Sequence, residues 1–186
     1  MGLNECAFLL MSCISLVKPL KKDLSHLDNQ EIKRYNLAIN EAALRYNISP
    51  YLLLAIFKVE SNFGRNMVSQ TNDHGPMQIN TWWFRRLGIS KKTVRSPEGA
   101  MVVAAKILDY AREDQGKNRR CWWSAYHSVT PEYRRIYEAS ILKALRDMGF
   151  RANCSSEFLN SYLSALEVTA QLRVDAGAIL ASHNPE

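Results

Sequence analysis

The amino-acid sequence predicts a mainly α domain: helices packed around one buried central helix, with at most a small β element. Three observations carry this. The run Tyr51 to Val59 is apolar almost all round, broken only by Lys58, as a helix enclosed by other helices requires. Segments before and after it repeat their apolar positions at helical spacing. The alternation expected of a strand occurs only near Met77 to Asn80.

A chain of 186 residues is enough for one sizeable core, and with 8 Gly and 6 Pro, no repeat and no low-complexity stretch, nothing suggests linkers. It divides into an apolar N-terminal segment (1–28), a helical domain (29–150) and a helical C-terminal extension (151–186). The net charge of +6 favours polyanions in general: nucleic acid, acidic lipid, or a cell wall whose peptides carry free carboxylates. A nucleic-acid-binding helical domain would gather its basic residues on one recognition helix, whereas here they are dispersed, so no nucleic-acid partner is expected. The apolar run Cys6 to Val17 is too short to span a bilayer and suits the core of a signal peptide. Against this, the start MGLNE has no basic residue, and Lys18, Lys21 and Lys22 lie on the wrong side of the run. Leu10-Met11-Ser12-Cys13 resembles the lipobox of bacterial lipoproteins, which would make Cys13 the lipidated residue; the alternatives are a hydrophobic helix packed on the domain or a mis-set start.

From Asn29 to Tyr46, Ile32, Tyr35, Leu37, Ile39, Ala42, Ala43 and Tyr46 form the apolar face of an amphipathic helix. The buried helix follows, with Ser49 as cap, Pro50 in the first helical position and Gly64 beyond its end. Leu53, Ile56 and Phe57 share the face of Glu60, which places a carboxyl group at the end of an apolar stripe. A carboxylate there loses hydration and holds its proton to higher pH, as a general acid must. Raising it from about 4.3 to about 6 or 7 costs roughly 2 to 4 kcal/mol. Taken alone, Glu60 reads more simply as a helix-end glutamate turned to solvent.

Arg65 to His74 is a polar loop of the kind that lines clefts. Gly75-Pro76 then makes a tight turn into Met77-Gln78-Ile79-Asn80, with Met77 and Ile79 facing inward and Gln78 and Asn80 offering amides to a ligand rich in hydroxyls. No second acid has a motif of its own; Asp73, the nearest candidate, more simply helps to shape this turn. Glu60-Ser61 followed by Gly-x-Met-Gln-Ile-Asn resembles the paired signature of the lytic transglycosylases of the soluble-lytic-transglycosylase type. The form Asp73 to Asn80 is closest to the small members that accompany conjugation, pilus and secretion systems, and the resemblance covers roughly Glu31 to Ala144.

Trp82, Trp83 and Phe84 open a short helix closed by Arg85-Arg86-Leu87-Gly88; stacking on sugar rings is one role for the tryptophans, and core packing is favoured for at least one. Ser96-Pro97-Glu98 starts a helix with Val102, Val103, Ile107, Leu108 and Ala111 as its buried face. After the basic stretch Lys117 to Arg120, Ala125-Tyr126-His127-Ser128 resembles the family's third motif, with His127 where asparagine is usual. His127 reads as a subfamily mark near the sugars or as a structural histidine. Thr130-Pro131 caps a helix over Glu132 to Met148, whose Arg134, Arg135, Lys143 and Arg146 form a solvated face. Ser155 or Ser156 to about Val174 makes a last helix with Phe158, Leu159 and Tyr162 on its packing side. Cys6, Cys13, Cys121 and Cys154 show no metal-binding spacing and the four histidines are scattered, so no metal or other cofactor is expected. In an exported chain Cys121 and Cys154 would pair, a bridge worth roughly 3 to 4 kcal/mol.

The resemblance implies a lysozyme-like fold and cleavage of the β-1,4 bond between N-acetylmuramic acid and N-acetylglucosamine in peptidoglycan, giving a 1,6-anhydro product. Glu60 would be the catalytic acid and then base. Ser61 would hydrogen-bond near it, Met77, Gln78 and Asn80 would line the sugar subsites, and Tyr126, His127 and Tyr133 would face them across the cleft. Tyr133 would point its hydroxyl at Glu60, with Tyr137, one turn on, as its rival. Partners would be glycan strands and an envelope-spanning apparatus, and the place of action the bacterial periplasm or envelope. Two alternatives stay open: a non-catalytic wall-binding protein on the same fold, and a lysozyme-type hydrolase.

Overall fold

The computed structural model describes residues 23–115 and 120–159. The expected signal run with Cys13, the stretch from Lys117 to Arg119 and the last helix past Leu159 lie outside the described residues.

Helix α1 spans Asn29–Tyr46 and begins in a reciprocal cap: Asp28 Oδ1 accepts from the backbone N–H of Gln30 and Glu31, each at 2.8 Å, while Glu31 accepts from the N–H of Asp28. Its buried face is Tyr35, Ala38, Ile39, Ala42 and Ala43. Leu37, expected on that face, is 45% exposed, because Ala38 takes the inward position beside Ile39.

Helix α2 spans Pro50–Ser61 and is the centre of the molecule, with Pro50 through Phe57 buried without interruption. It packs against α1 on one side and against two later helices on the others. Each of Leu52, Leu53, Ile56 and Phe57 is at most 1% exposed, and burial of such a side chain is worth about 1.5 to 3 kcal/mol. Lys58, the one charge within the apolar run, reaches Asp23 at 3.0 Å and Asp147 at 3.8 Å. The helix stops because Asn62, Phe63 and Gly64 all take positive φ, which turns the chain beneath its own end. Phe63 is thereby fully buried, edge-on to Phe57, which in turn packs on Tyr35.

Two short strands, β1 (Asp73–His74) and β2 (Ile79–Asn80), pair antiparallel with Asp73 opposite Asn80. Helix α3 (Thr81–Leu87) starts from an Asn80 cap and ends at Gly88. Helix α4 (Lys91–Arg95), absent from the sequence reading, is a single turn capped reciprocally by Ser90 and Thr93. Helix α5 (Pro97–Gln115) lies along α1 and also touches α2. A 3-10 turn (Trp122–Tyr126) seats Trp122 and Trp123 in the core, and α6 (Pro131–Asp147) closes the other flank of α2. Thr130 stands at the N-cap of α6 without making a side-chain cap bond. The fold is thus mainly α and lysozyme-like, with one two-stranded β element. Among the described residues no helix is long and apolar enough to cross a membrane.

Packing extends past both expected boundaries of the helical domain. Ahead of residue 29, Leu24 is 7% exposed and His26 Nε2 lies 2.8 Å from the Phe63 carbonyl. Beyond residue 150, Cys154 is joined to Cys121 with Cα atoms 4.9 Å apart, and Leu159 is buried.

The basic residues of α6 do not form one solvated face. Arg134 is 6% exposed: its Nε donates to Ser124 Oγ at 2.9 Å and its Nη1 to Gln115 Oε1 at 2.6 Å. Ser124 Oγ in turn donates to Glu138 Oε1, so a buried polar network ties α5, the 3-10 turn and α6 together where the sequence shows only a basic stretch.

Candidate active site

Glu60 sits in the last turn of α2, where the apolar helix meets a cavity of about 520 Å³. Burial pushes its carboxyl up to about 7; Tyr137 opposes the shift by hydrogen bonding, and the charge of Asp73 adds to it. The Tyr137 hydroxyl donates to Glu60 Oε1 at 2.7 Å. Tyr137 is 4% exposed, and burial together with the nearby carboxyl holds its phenol well above the ordinary range, so it stays a neutral donor. The expected donor, Tyr133, is 58% exposed and lies outside the cavity lining: it shares a face with Tyr137 but stands one turn nearer the start of α6, and it is Tyr137 that lies level with Glu60. Replacing Tyr137 by Phe removes a bond that favours the charged carboxylate, so the alkaline limb of kcat/KM is expected to move to higher pH. A limb that stays in place or moves down refutes this account of the shift.

Ser61 was expected beside the acid but is 1% exposed and serves the backbone instead. Its Oγ donates to the Pro76 carbonyl at 2.7 Å and accepts from the Gly64 N–H at 2.8 Å, fastening the turn after β1 to the end of α2. Met77 was expected to line a subsite, but its side chain is fully buried, as inward alternation with Ile79 demands. What Met77 supplies is its carbonyl, which accepts from the Tyr126 hydroxyl at 2.7 Å.

Gln78 and Asn80 do reach the cavity. Gln78 takes a positive φ of 45°, and its Nε2 donates to the Gly75 and Asn66 carbonyls, leaving its Oε1 without a partner among the described residues. Asn80 donates to Asp73 Oδ1 at 2.6 Å and accepts from the Trp82 N–H, so its amide is largely spent on β1 and the cap of α3. Asp73 also lines the cavity. Its other oxygen, Oδ2, accepts from Ser69 and Thr71, so both oxygens are engaged.

Tyr126 and His127 complete the opposite wall. The His127 ring stacks on Tyr137 at 4.8 Å with 9° between planes, so it both faces the cavity and steadies the phenol that holds Glu60. Trp83, half-buried against the core, forms another part of the wall, while Trp82 is 52% exposed. Ser69 and Thr71 were not singled out from sequence, although the polar loop that carries them was. Among the described residues, the grouping nearest to a metal site is Cys121, Glu138 and Cys154, and its two sulfurs are joined in the disulfide, leaving no thiolate ligand.

This arrangement puts one proton-bearing carboxyl at the head of a polar cavity, beside a second carboxylate fully occupied by hydrogen bonds. It suits proton transfer to a bound ligand rich in hydroxyls. The family model described as the transglycosylase SLT domain matches residues 37–139 of the chain. A search among curated proteins finds none that matches.

Proposed function

The chain belongs to the transglycosylase SLT domain family, whose reaction is lytic transglycosylation of peptidoglycan, and we propose that Glu60 performs it here. The observation that carries this reading is the Glu60 carboxyl, raised to about 7 at the head of the cavity and held by Tyr137. Near neutral pH it has a proton to give and can take one back. Glu60 protonates the glycosidic oxygen between N-acetylmuramic acid and N-acetylglucosamine as the C1–O bond breaks. The carboxylate so formed takes the proton of the muramic C6 hydroxyl while that oxygen attacks C1 and closes the 1,6-anhydro ring. The proton is thus returned and no water is consumed. Gln78, Asn80, Tyr126 and His127 are the cavity's polar contacts for the sugars.

Asp73 supports a second reading, because a lysozyme-type hydrolase uses two carboxylates and Asp73 shares the cavity. Its engaged oxygens count against a role as nucleophile or base. Mass spectrometry of soluble products from purified peptidoglycan separates the two. Anhydro-muropeptides, lighter by one water than hydrolysis products, are expected; reducing-end products assign the hydrolase, and no product from active-concentration enzyme assigns a wall-binding protein.

The place of action we infer is the cell envelope, at a conjugation, pilus or secretion apparatus. Support comes from the form of the Asp73 to Asn80 and Ala125 to Ser128 motifs, and from the Cys121–Cys154 disulfide, a bond that persists in oxidising compartments. Fractionation of cells is expected to recover the protein in the envelope; cytosolic protein with both cysteines as thiols overturns this.

A further inference from the structure

A second cavity, of about 460 Å³, adjoins the first and shares Trp83 and Ile107 with it. Trp82, Trp83 and Tyr110 supply its aromatic surface: Trp83 and Tyr110 stack at 6.0 Å with 14° between planes, and Trp82 meets Trp83 edge-on at 4.7 Å. The guanidinium of Arg86 lies over all three rings, at 5.2 Å from Trp82, 5.8 Å from Tyr110 and 6.0 Å from Trp83. Among the described residues it has no hydrogen bond and no ion pair. Glu113 and Asp114, from the last turn of α5, add carboxylates to the same lining.

A neutral sugar stacks on uncovered aromatic faces. Here the faces are covered by a cation, and the wall carries both signs of charge. A guanidinium held against aromatic rings keeps its N–H donors for a carboxylate. The ligand that fits is a short chain bearing carboxylates and an ammonium, with apolar stretches between them. Peptidoglycan attaches such a chain to each muramic unit: the stem peptide, with its free carboxylates and the amine of its diamino residue.

We propose that this second cavity binds the stem peptide of the muramic unit held at Glu60, with Arg86 taking a peptide carboxylate and Glu113 and Asp114 the ammonium. The inference rests on the assignment of peptidoglycan to the first cavity, and it makes the protein a reader of peptide-bearing strands.

The test uses two probes, the free stem tripeptide with a diamino acid in third position, and glycan strands with and without their peptides removed by an amidase. The tripeptide is expected to perturb tryptophan fluorescence of the full chain, and Arg86→Ala or Glu113→Gln to weaken its binding about tenfold, the usual scale for one charge-assisted contact. Arg86 and Glu113 are both exposed, so the variants are expected to keep the wild-type melting transition. The wild-type protein is also expected to cleave peptide-bearing strands faster than stripped ones, with Arg86→Ala bringing that ratio toward one. Strands cleaved at equal rates with no tripeptide binding overturn this inference and leave the transglycosylase standing. Tripeptide binding that depends on Arg86, without turnover of either strand, upholds it and removes the catalytic reading. A loss in Arg86→Ala that is equal on both strands assigns the cavity to the glycan and overturns the proposal.

Discussion

Replacing Glu60 by Gln is expected to lower release of anhydro-muropeptides by about three orders of magnitude or more, since one group acts as both acid and base and each role is worth 10²- to 10⁴-fold. Wall binding is expected to survive, because the amide keeps the shape of the side chain and still accepts from Tyr137. The same substitution has a pH-dependent effect on stability. In the unfolded chain the carboxyl loses its proton near 4.5, whereas in the fold it holds it to about 7. Between these values folding takes up a proton, so the stability of the native protein is full below about 4.5, falls as pH rises through 7, and is level beyond. The amide has no proton to lose. Glu60→Gln is therefore expected to match the native protein in denaturant melts at pH 4 and to exceed it by about 3 kcal/mol at pH 8. A stability gap independent of pH, or undiminished product release, sinks the assignment of Glu60.

Gly75→Ala is expected to cost more than about 3 kcal/mol, toward the upper end for single substitutions. Two effects add. Gly75 has φ +79°, a region where a Cβ costs roughly 1 to 2 kcal/mol. A Cβ there would also lie 1.7 Å from the Val94 carbonyl oxygen and 2.7 Å from its carbon. Those atoms are backbone of α4 and cannot swing aside, so the turn must lift. Lifting it withdraws Met77 and Ile79 from the core and strains the bonds from Ser61 to Pro76 and from Tyr126 to Met77. Gly88 supplies the control: its φ is +63°, yet a Cβ there meets nothing within 4 Å. Equal melting temperatures for Gly75→Ala and Gly88→Ala would show that the contact with α4 is not what makes Gly75 necessary.

The limits of α1 and α2 were legible because their signals are local. The apolar period from Ile32 to Tyr46, Ser49 with Pro50, and Gly64 past the end of α2 act within one stretch of chain whatever the rest does. The Asp28–Glu31 cap of α1 is equally local but was not singled out from sequence. Helix α4 has a local signal too, but its Ser90-x-x-Thr93 cap lacks the usual acidic partner and spans one turn. Among site residues, Glu60 stood out because the Gly75 to Asn80 motif follows it at the family's spacing; alone, an acid at a helix end is as simply a solvated one. Ser61 and Met77 were named with it, and they turned out to build the site from beneath.

The choice between Tyr133 and Tyr137, the burial of Arg134 and the joining of two cavities at Trp83 belong to the tertiary structure alone. Each depends on how one helix is set against another, in rotation and along its axis. Helical spacing states which residues share a face, and it determined here that the chain is mainly α, that α2 is central and that Glu60 ends its apolar stripe. Which face meets which neighbour is decided by close packing of side chains from distant parts of the chain, and that packing alone sets the tyrosine hydroxyl of α6 against the carboxyl of α2.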